Sequence, residues 1–153
     1  MQDLIEIKIK YTEVAKKLQE SGTEFVLRKA NPTDSGFDLQ AAILEPISIA
    51  PGERKLIPVG IHIQLESGWE AQVRSRSGLA LKQGLSNVNG IGTIDHLYRK
   101  EIGAILINHG QLPIEIFPGM KVAQLCFNRV PKVSLINEDF EDTERGGFGS
   151  TGV

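Results

Sequence analysis

The sequence of 153 residues predicts an all-β fold, a jelly-roll-like barrel or sandwich with one short helix. Short runs in which apolar and polar residues alternate recur along the chain, and this period of two residues is typical of half-buried strands. Turn-forming pairs such as Pro51-Gly52 and Pro118-Gly119 separate these runs. Because a chain of this length supports one core, a single domain is expected.

The strands are predicted one after another along the chain. Residues 5–11 alternate most regularly, with Ile5, Ile7 and Ile9 on one side and charged residues on the other, which predicts a strand with one buried side. Residues 60–66 repeat the pattern. The complete set of predicted strands is 5–11, 24–28, 37–43, 53–59, 60–66, 69–74, 102–108, 113–117 and 122–127.

The one predicted helix covers residues 77–84. Ser77 is a candidate N-cap, and Gly84 is a typical C-terminal stop. Residues 12–20 are expected to add a helical turn. No linker or repeat divides the rest, so residues 1–137 are expected to form the β domain and residues 138–153 a flexible, glycine-containing C-terminal arm.

Composition argues against several classes of function. With 17 basic and 19 acidic residues, the net charge of −2 leaves no basic face for nucleic acid. No apolar run approaches the roughly 18 residues of a membrane span, and the N-terminus lacks a signal-peptide core. The three histidines lack the spacing of a zinc site. The single cysteine, Cys126, is expected to be a buried apolar residue in a cytoplasmic protein.

Five segments resemble, in order, the five sequence motifs of the trimeric dUTPase family. Each is a weak signal alone, but five at compatible spacings identify the chain as a member. The resemblance implies a dUTPase-like fold and a homotrimer that uses Mg²⁺ to hydrolyse dUTP to dUMP and pyrophosphate, which keeps uracil out of DNA and supplies dUMP for dTMP synthesis. The segments are SGFDLQAA (35–42), RSRSGLA (74–80), NGIGTIDHLYRKE (89–101), PGMKVAQLCF (118–127) and ERGGFGSTG (144–152).

The third segment carries the residues that the resemblance assigns to the chemistry and to the base. Asp95 is the general base that positions a water at the α-phosphorus; taken alone it is a typical turn residue. Tyr98 lies against the deoxyribose and excludes a ribose 2′-hydroxyl; taken alone it is a core aromatic. The segment is expected to form a β-hairpin that binds the uracil edge. The remaining residues of this base set are Asn89, Gly92, Thr93, Ile94 and Gly103.

The resemblance assigns the phosphates to the second and fourth segments. Arg76 offers a forked donor, and Ser77 and Gly78 offer backbone N–H groups at the start of the predicted helix. Gln124 is assigned to the α-phosphate, although alone it is an ordinary polar strand residue. Asp38 supports this network through water or an arginine, or else makes local hydrogen bonds at a strand end. Mg²⁺ has no direct protein ligand and arrives on the substrate phosphates, within reach of Asp38 through water.

The C-terminal arm is assigned to closure over bound nucleotide, with Phe148 stacked on uracil and Arg145, Ser150 and Thr151 on the outer phosphates. For an arbitrary protein, the same residues are a loose terminal segment. In the family each site gathers motifs from three chains. The family pattern has two more residues between the arginine and the phenylalanine, which span about 7 Å, so Arg145 and Phe148 are expected to reach both groups less readily here.

Two further departures from the family pattern concern turns. Ser75 replaces a proline and is expected to loosen its turn. Lys100 replaces a glycine and is expected to change its turn, because a lysine at positive φ costs about 1 kcal/mol. Two alternatives stay open: a dCTP deaminase-like enzyme of the same fold, with Glu101 as the base near cytosine C4, and a catalytically weak nucleotide-binding regulatory protein, which the shortened fifth motif favours.

Overall fold

The computed structural model describes residues 4–144, in which eleven strands and two short helices form an all-β fold. The predicted fold class is therefore confirmed. In chain order the elements are β1 (Lys8–Tyr11), α1 (Glu13–Glu20), β2 (Phe37–Gln40), β3 (Ile47–Ile49), β4 (Arg54–Pro58), β5 (Ile61–Gln64), β6 (Trp69–Ser75), α2 (Ser77–Gln83), β7 (Leu85–Asn87), β8 (Gly92–Ile94), β9 (Gly103–Asn108), β10 (Ile114–Ile116) and β11 (Lys121–Arg129).

The strands form antiparallel sheets around one aliphatic core. The largest sheet has the order β2-β11-β6-β8, and a second has the order β4-β9-β7. Two-stranded pairs, β1-β5 and β10-β3, complete the sheets in the described part of the chain. Several strands, such as β5 and β9, turn alternate apolar residues inward, and burying one such side chain contributes about 1.5–3 kcal/mol. The fully buried residues include Leu39, Ile57, Val73, Leu106 and Leu125.

The segment after β1 departs from the prediction, because residues 13–20 form a complete helix. The Thr12 hydroxyl accepts a hydrogen bond from Ala15 N at 3.3 Å and caps the helix. Ala15 and Leu18 are buried with Phe25 and Ala42 in a second, smaller apolar cluster. The prediction of one short helix was therefore wrong, since both α1 and α2 form.

Residues 24–28 were predicted as a strand and form none. Val26 N donates to Gln40 Oε1 at 3.0 Å, and Leu27 N donates to the Tyr11 hydroxyl at 3.0 Å. Side-chain oxygens thus satisfy the backbone donors that a strand would offer to a neighbour.

The N-terminal strand is shorter than predicted. It begins at Lys8 and pairs with β5 alone. Ile9 is 43% exposed, so the expectation of one buried side fails at this residue. Sequence reasoning also missed β3 and β7, each of three residues, since so short a run carries little periodicity.

Beyond β11 the chain leaves the core. Residues 130–144 form no helix or strand and are exposed. Cys126 on β11 is buried, as predicted. Neither helix within residues 4–144 has the length and apolar character needed to cross a membrane.

Candidate active site

A cavity of about 320 Å³ lies between β9 and the segment that contains β8, and we call it the base cavity. The sequence assigned seven residues to the base and the deoxyribose, and the wall includes the six of them that lie within residues 4–144. The structure therefore brings this set together within one chain. The lining residues are Leu56, Pro58, Val73, Asn89, Gly92, Thr93, Ile94, Tyr98, Glu101, Ile102, Gly103 and Ile105.

The third segment does not close on itself as the expected hairpin. Strand β7 pairs with β9, whereas β8 pairs with β6, so the two strands belong to different sheets. The bend between them is fixed by hydrogen bonds from Gly90 N to Asn87 O (3.1 Å) and from Val88 N to Ile105 O (2.9 Å). The cavity opens where these two sheets separate.

Tyr98 and Asp95 share one tight turn at the rim of the base cavity. Tyr98 N donates to Asp95 O at 3.0 Å, and the Tyr98 hydroxyl donates to Glu101 O at 2.8 Å. The Tyr98 side chain is partly exposed and lines the cavity. The Asp95 side chain is exposed and lines a separate groove beside Glu70 and His96. A general base at this position is open to solvent and to the part of a bound substrate that extends out of the cavity.

The residues assigned to the phosphates lie around the junction of β6 and α2. Arg76 is the N-cap of α2, so the predicted cap at Ser77 was wrong: Ser77 is the first helical residue. No side chain caps the helix, and its first N–H groups have no partner within the helix. A Cβ atom added to Gly78 would meet nothing within 4 Å, so the space over this helix start is open. The predicted stop at Gly84 is confirmed, with φ of 72°.

Asp38 joins two cationic side chains in this region. Its carboxylate lies 2.7 Å from Lys121 Nζ and 3.8 Å from Arg76 Nε, and it is mostly buried. Arg76 Nη1 also donates to Lys121 O at 2.9 Å. Because Asp38 and the Lys121 carbonyl hold one side of the guanidinium, the remaining N–H groups of Arg76 can face a ligand.

Gln124 occupies the strand between Asp38 and Arg74 in the sheet register. Its Nε2 donates to Ser75 O at 3.0 Å, so the side chain spans β11 and the end of β6. A Cβ atom on Gly36 would lie 2.5 Å from Gln124 Oε1. The absence of a side chain at Gly36 therefore lets Gln124 lie against β2.

Two departures from the family pattern have a local explanation. The Ser75 hydroxyl accepts a hydrogen bond from Asn87 N at 2.8 Å, and Asn87 Nδ2 donates to Val73 O at 3.0 Å. Serine thus ties β6 to β7 here, where a looser turn was expected. Within residues 4–144 no residue other than glycine has positive φ, so Lys100 does not adopt the positive-φ conformation that would strain a lysine.

The phosphate residues and Asp95 lie at opposite ends of β6. Ile94 is the register partner of Ala71, which puts Asp95 beside Glu70, whereas Arg76 follows the last residue of β6. At about 3.3 Å per residue, positions 70 and 76 are separated by about 20 Å. One chain therefore presents a base half, which contains the base cavity and Asp95, and a phosphate half around Arg76, and the two do not meet.

The expectation that Mg²⁺ has no direct protein ligand concerns the His, Cys, Asp and Glu side chains. Within residues 4–144 no three His, Cys, Asp or Glu side chains form a cluster that could hold a metal ion. Asp38 is the carboxylate nearest to the phosphate residues, and its oxygens already face Lys121 and Arg76. The donor set fits a cation that brings most of its own ligands.

Four predicted phosphate and base residues fall in the C-terminal arm and lie outside the described residues; they are Arg145, Phe148, Ser150 and Thr151. Conversely, sequence reasoning missed the roles of Gly36 and Lys121 and the hydrogen bond of Glu101. All three stand inside or beside the recognised motif segments, but only their contacts show what they hold.

Comparisons with known proteins point to one family. The dUTPase family model matches residues 25–152. A deoxyuridine 5'-triphosphate nucleotidohydrolase of Maricaulis maris is 52% identical over 127 residues, which cover 80% of this chain and 84% of the relative. The protein of the same name from Anaeromyxobacter sp. is 47% identical over 121 residues, which cover 77% and 81%.

Solved structures with a similar fold come from bacteriophages of staphylococci. The Staphylococcus bacteriophage 80alpha dUTPase, solved with dUPNHPP, superposes with a TM-score of 0.80 at 22% identity, covering 98% of this chain and 100% of that one. A dUTPase of phage phi11 of S. aureus, whose structure describes a structural Mg(II) ion, superposes with a TM-score of 0.71 at 20% identity, covering 88% and 98%. At these identities the likeness concerns the fold.

Proposed function

We propose that this chain, which belongs to the dUTPase family, hydrolyses dUTP to dUMP and pyrophosphate, with Asp95 as the general base. The observation that carries the proposal is the base cavity, because a single recess gathers the six described residues among the seven assigned to uracil and deoxyribose, and Asp95 lies one turn from Tyr98 at its rim. The biological consequence is a low dUTP level and a supply of dUMP.

The base cavity suits a small planar base. Its polar groups include the backbone of Gly92 and Gly103 and the side chains of Asn89 and Thr93, and its remaining wall is largely aliphatic. A bound base would cover these groups, and covered, oriented polar groups discriminate strongly because a wrong base leaves them unpaired. Val73 narrows one wall, since a Cβ on Gly92 would lie only 3.2 Å from Val73 Cβ. A methyl group at position 5 of the base is therefore expected to be rejected.

The reaction needs a general base, hydrogen-bond donors to the phosphates and a leaving group. The Asp95 carboxylate accepts a proton from water as the water oxygen bonds to the α-phosphorus. The bond from the α-phosphorus to the bridging oxygen breaks, and pyrophosphate leaves with that electron pair. Arg76, Ser77 N and Gly78 N donate hydrogen bonds to the phosphate oxygens, and Gln124 contacts the α-phosphate.

A complete site requires more than one copy of the chain. A general base acts within hydrogen-bond reach or through one water, whereas Asp95, beside position 70, and Arg76 of one chain lie about 20 Å apart along β6. We therefore infer that Asp95 of one copy serves a triphosphate held by Arg76 of another. A closed ring of three chains satisfies every site, and this supports the homotrimer.

Magnesium is proposed as the cofactor. Mg²⁺ commonly binds through substrate phosphates and water and not through a protein cage, so the triphosphate is proposed to supply most of its ligands. When bound, the ion would draw negative charge from the phosphate oxygens. Asp38 would support it only through water, since its carboxylate is held by Lys121 and Arg76.

Residues 138–153 are proposed to close over the bound nucleotide, with Phe148 on uracil and Arg145, Ser150 and Thr151 on the outer phosphates. The start of this arm, residues 138–144, is exposed and forms no helix or strand, which leaves it available to a neighbouring site. Closure would exclude bulk water and bring donors to the developing charge.

The proposed function is tested by pyrophosphate release from dUTP with Mg²⁺, compared with dCTP, dTTP and UTP. Asp95→Asn is expected to lower kcat about 1,000-fold, because it removes the base and keeps the side-chain shape. Glu45→Gln, which also removes one exposed carboxylate, is the matched control and should keep wild-type activity. Binding of dUTP without turnover by the wild type would contradict the enzyme and favour the regulatory alternative.

The shared site is tested by mixing two inactive variants, Asp95→Asn and Arg76→Ala, after dissociation and reassembly. If the two residues come from different chains, random assembly restores about a quarter of the sites. If both act within one chain, the mixture stays inactive. Light scattering of the wild type should give three times the chain mass of 16.8 kDa.

A further inference from the structure

Glu101 lines the base cavity, yet its carboxylate is already engaged. Gly60 N donates to Glu101 Oε1 at 2.9 Å, across 41 positions of sequence. The side chain is only partly exposed. An acid that faces a nucleotide cavity is an obvious candidate for proton transfer, but the carboxylate of Glu101 is bound to Gly60, a residue that does not line the cavity.

Gly60 is a fixed point of the fold. Its φ of +71° favours glycine, and an added Cβ would lie 2.8 Å from Ala42 Cβ and 2.9 Å from Ala15 Cβ. Gly60 O accepts a hydrogen bond from Thr12 N at 2.9 Å, at the start of α1. Because its backbone cannot move without disturbing the smaller apolar cluster, the N–H that reaches Glu101 has a fixed direction.

Hydrogen bonds of the backbone around Glu101 connect the fixed Gly60 to Tyr98, the residue assigned to the sugar. Ile102 N donates to Ile61 O at 2.9 Å, and Val59 N donates to Ile102 O at 3.0 Å, so residues 59–61 hold residues 101–102 on both sides. Glu101 O accepts the Tyr98 hydroxyl at 2.8 Å. The Glu101 side chain thus accepts from Gly60 N, and the Glu101 backbone carbonyl accepts from the Tyr98 hydroxyl, so Glu101 connects the fixed Gly60 to Tyr98.

We propose that Glu101 is a positioning residue that fixes Tyr98 against the sugar and thereby sets the preference for deoxyribonucleotides over ribonucleotides. It acts as a hydrogen-bond acceptor for Gly60 N and not as a proton donor or acceptor for the substrate. The inference rests on the proposed function, since it assigns Tyr98 to the deoxyribose. A shift of Tyr98 by even 1 Å would open space beside the sugar and cost catalytic efficiency.

The test compares Glu101→Gln with Glu101→Ala. Glutamine keeps an oxygen acceptor without a charge, so kcat/KM for dUTP should stay within about twofold of wild type. Alanine removes the acceptor, so kcat/KM for dUTP should fall about tenfold, and the dUTP-to-UTP preference should fall about tenfold with it. Glu115→Ala, an exposed acid on β10, is the control.

Each other outcome would overturn the inference. Equal loss in both variants would mean that the charge itself is required, and ammonia release from dCTP abolished in Glu101→Gln would mean that Glu101 is a deaminase base. An equal fall for dUTP and UTP in Glu101→Ala, in step with the fraction unfolded in a thermal melt, would mean a merely structural role. Wild-type behaviour of both variants would remove the role altogether.

The outcome is separable from the proposed function. If the wild type fails to release pyrophosphate, the proposed function fails. Calorimetric binding of non-hydrolysable dUTP and UTP analogues to the same variants then still measures whether Glu101 sets the sugar preference.

Discussion

The base half and the phosphate half of the chain differ in shape and in how their binding groups are held. The base cavity is a recess within one chain, and its backbone is fixed by hydrogen bonds from two sheets. The phosphate half is an open surface at the start of α2, where Arg76 is held by Asp38 and Gly78 faces empty space. One half is a recess within a single chain, and the other is a set of donors on an open surface.

This difference follows from what each half has to recognise. A planar base is identified by shape and by short hydrogen bonds, which require a rigid wall of a single chain. Phosphate charge acts over a longer distance and tolerates donors from several chains. The phosphate half can therefore be shared between copies, whereas the base cavity cannot be divided without losing its fit.

The largest effect on activity is expected from a substitution in the phosphate half. Arg76→Ala should lower kcat/KM for dUTP about 100-fold, because it removes a forked, charge-assisted donor. Inhibition by dUMP, which lacks the outer phosphates, should change far less. Steady-state kinetics with Arg54→Ala, an exposed arginine on β4, provide the control. An equal weakening of dUMP and dUTP would show that Arg76 supports the base cavity instead.

A smaller effect is expected from narrowing the base cavity. Gly92→Ala brings a Cβ to 3.2 Å from Val73 Cβ, so affinity for dUTP and for dUMP should fall together, each about tenfold. The second change Val73→Ala should restore part of this loss, and a double-mutant cycle measures the coupling. Additive losses in the double variant would mean that the two residues do not share one wall.

The smallest effect on activity is expected from Gly36, which lies against Gln124 of the phosphate half. Gly36→Ala puts a Cβ 2.5 Å from Gln124 Oε1 and should displace this flexible side chain. Because Gln124 is assigned to the α-phosphate, kcat should fall about threefold. In a Gln124→Ala background the same substitution should have no further effect. A similar fall in both backgrounds would indicate that Gly36 acts through the strand and not through Gln124.

Much of the fold follows from local patterns in the sequence. The runs at residues 53–59, 60–66, 69–74 and 122–127 became strands because their alternating residues fit a sheet with one buried face. Residues 24–28 have a similar pattern and form no strand, since Gln40 and Tyr11 offer side-chain acceptors that no local pattern reveals. The helix at 13–20 was underestimated because its apolar partners, Phe25 and Ala42, are distant in sequence.

The sequence by itself determined the family and the fold class and predicted most residues of both halves, because motif order and residue chemistry are local properties. Only the tertiary structure decided how these residues are distributed. Strand register separates Asp95 from Arg76 along β6, and the packing of Gly60 directs its N–H to Glu101. Register and packing arise from contacts between distant segments, and no spacing within one motif encodes them.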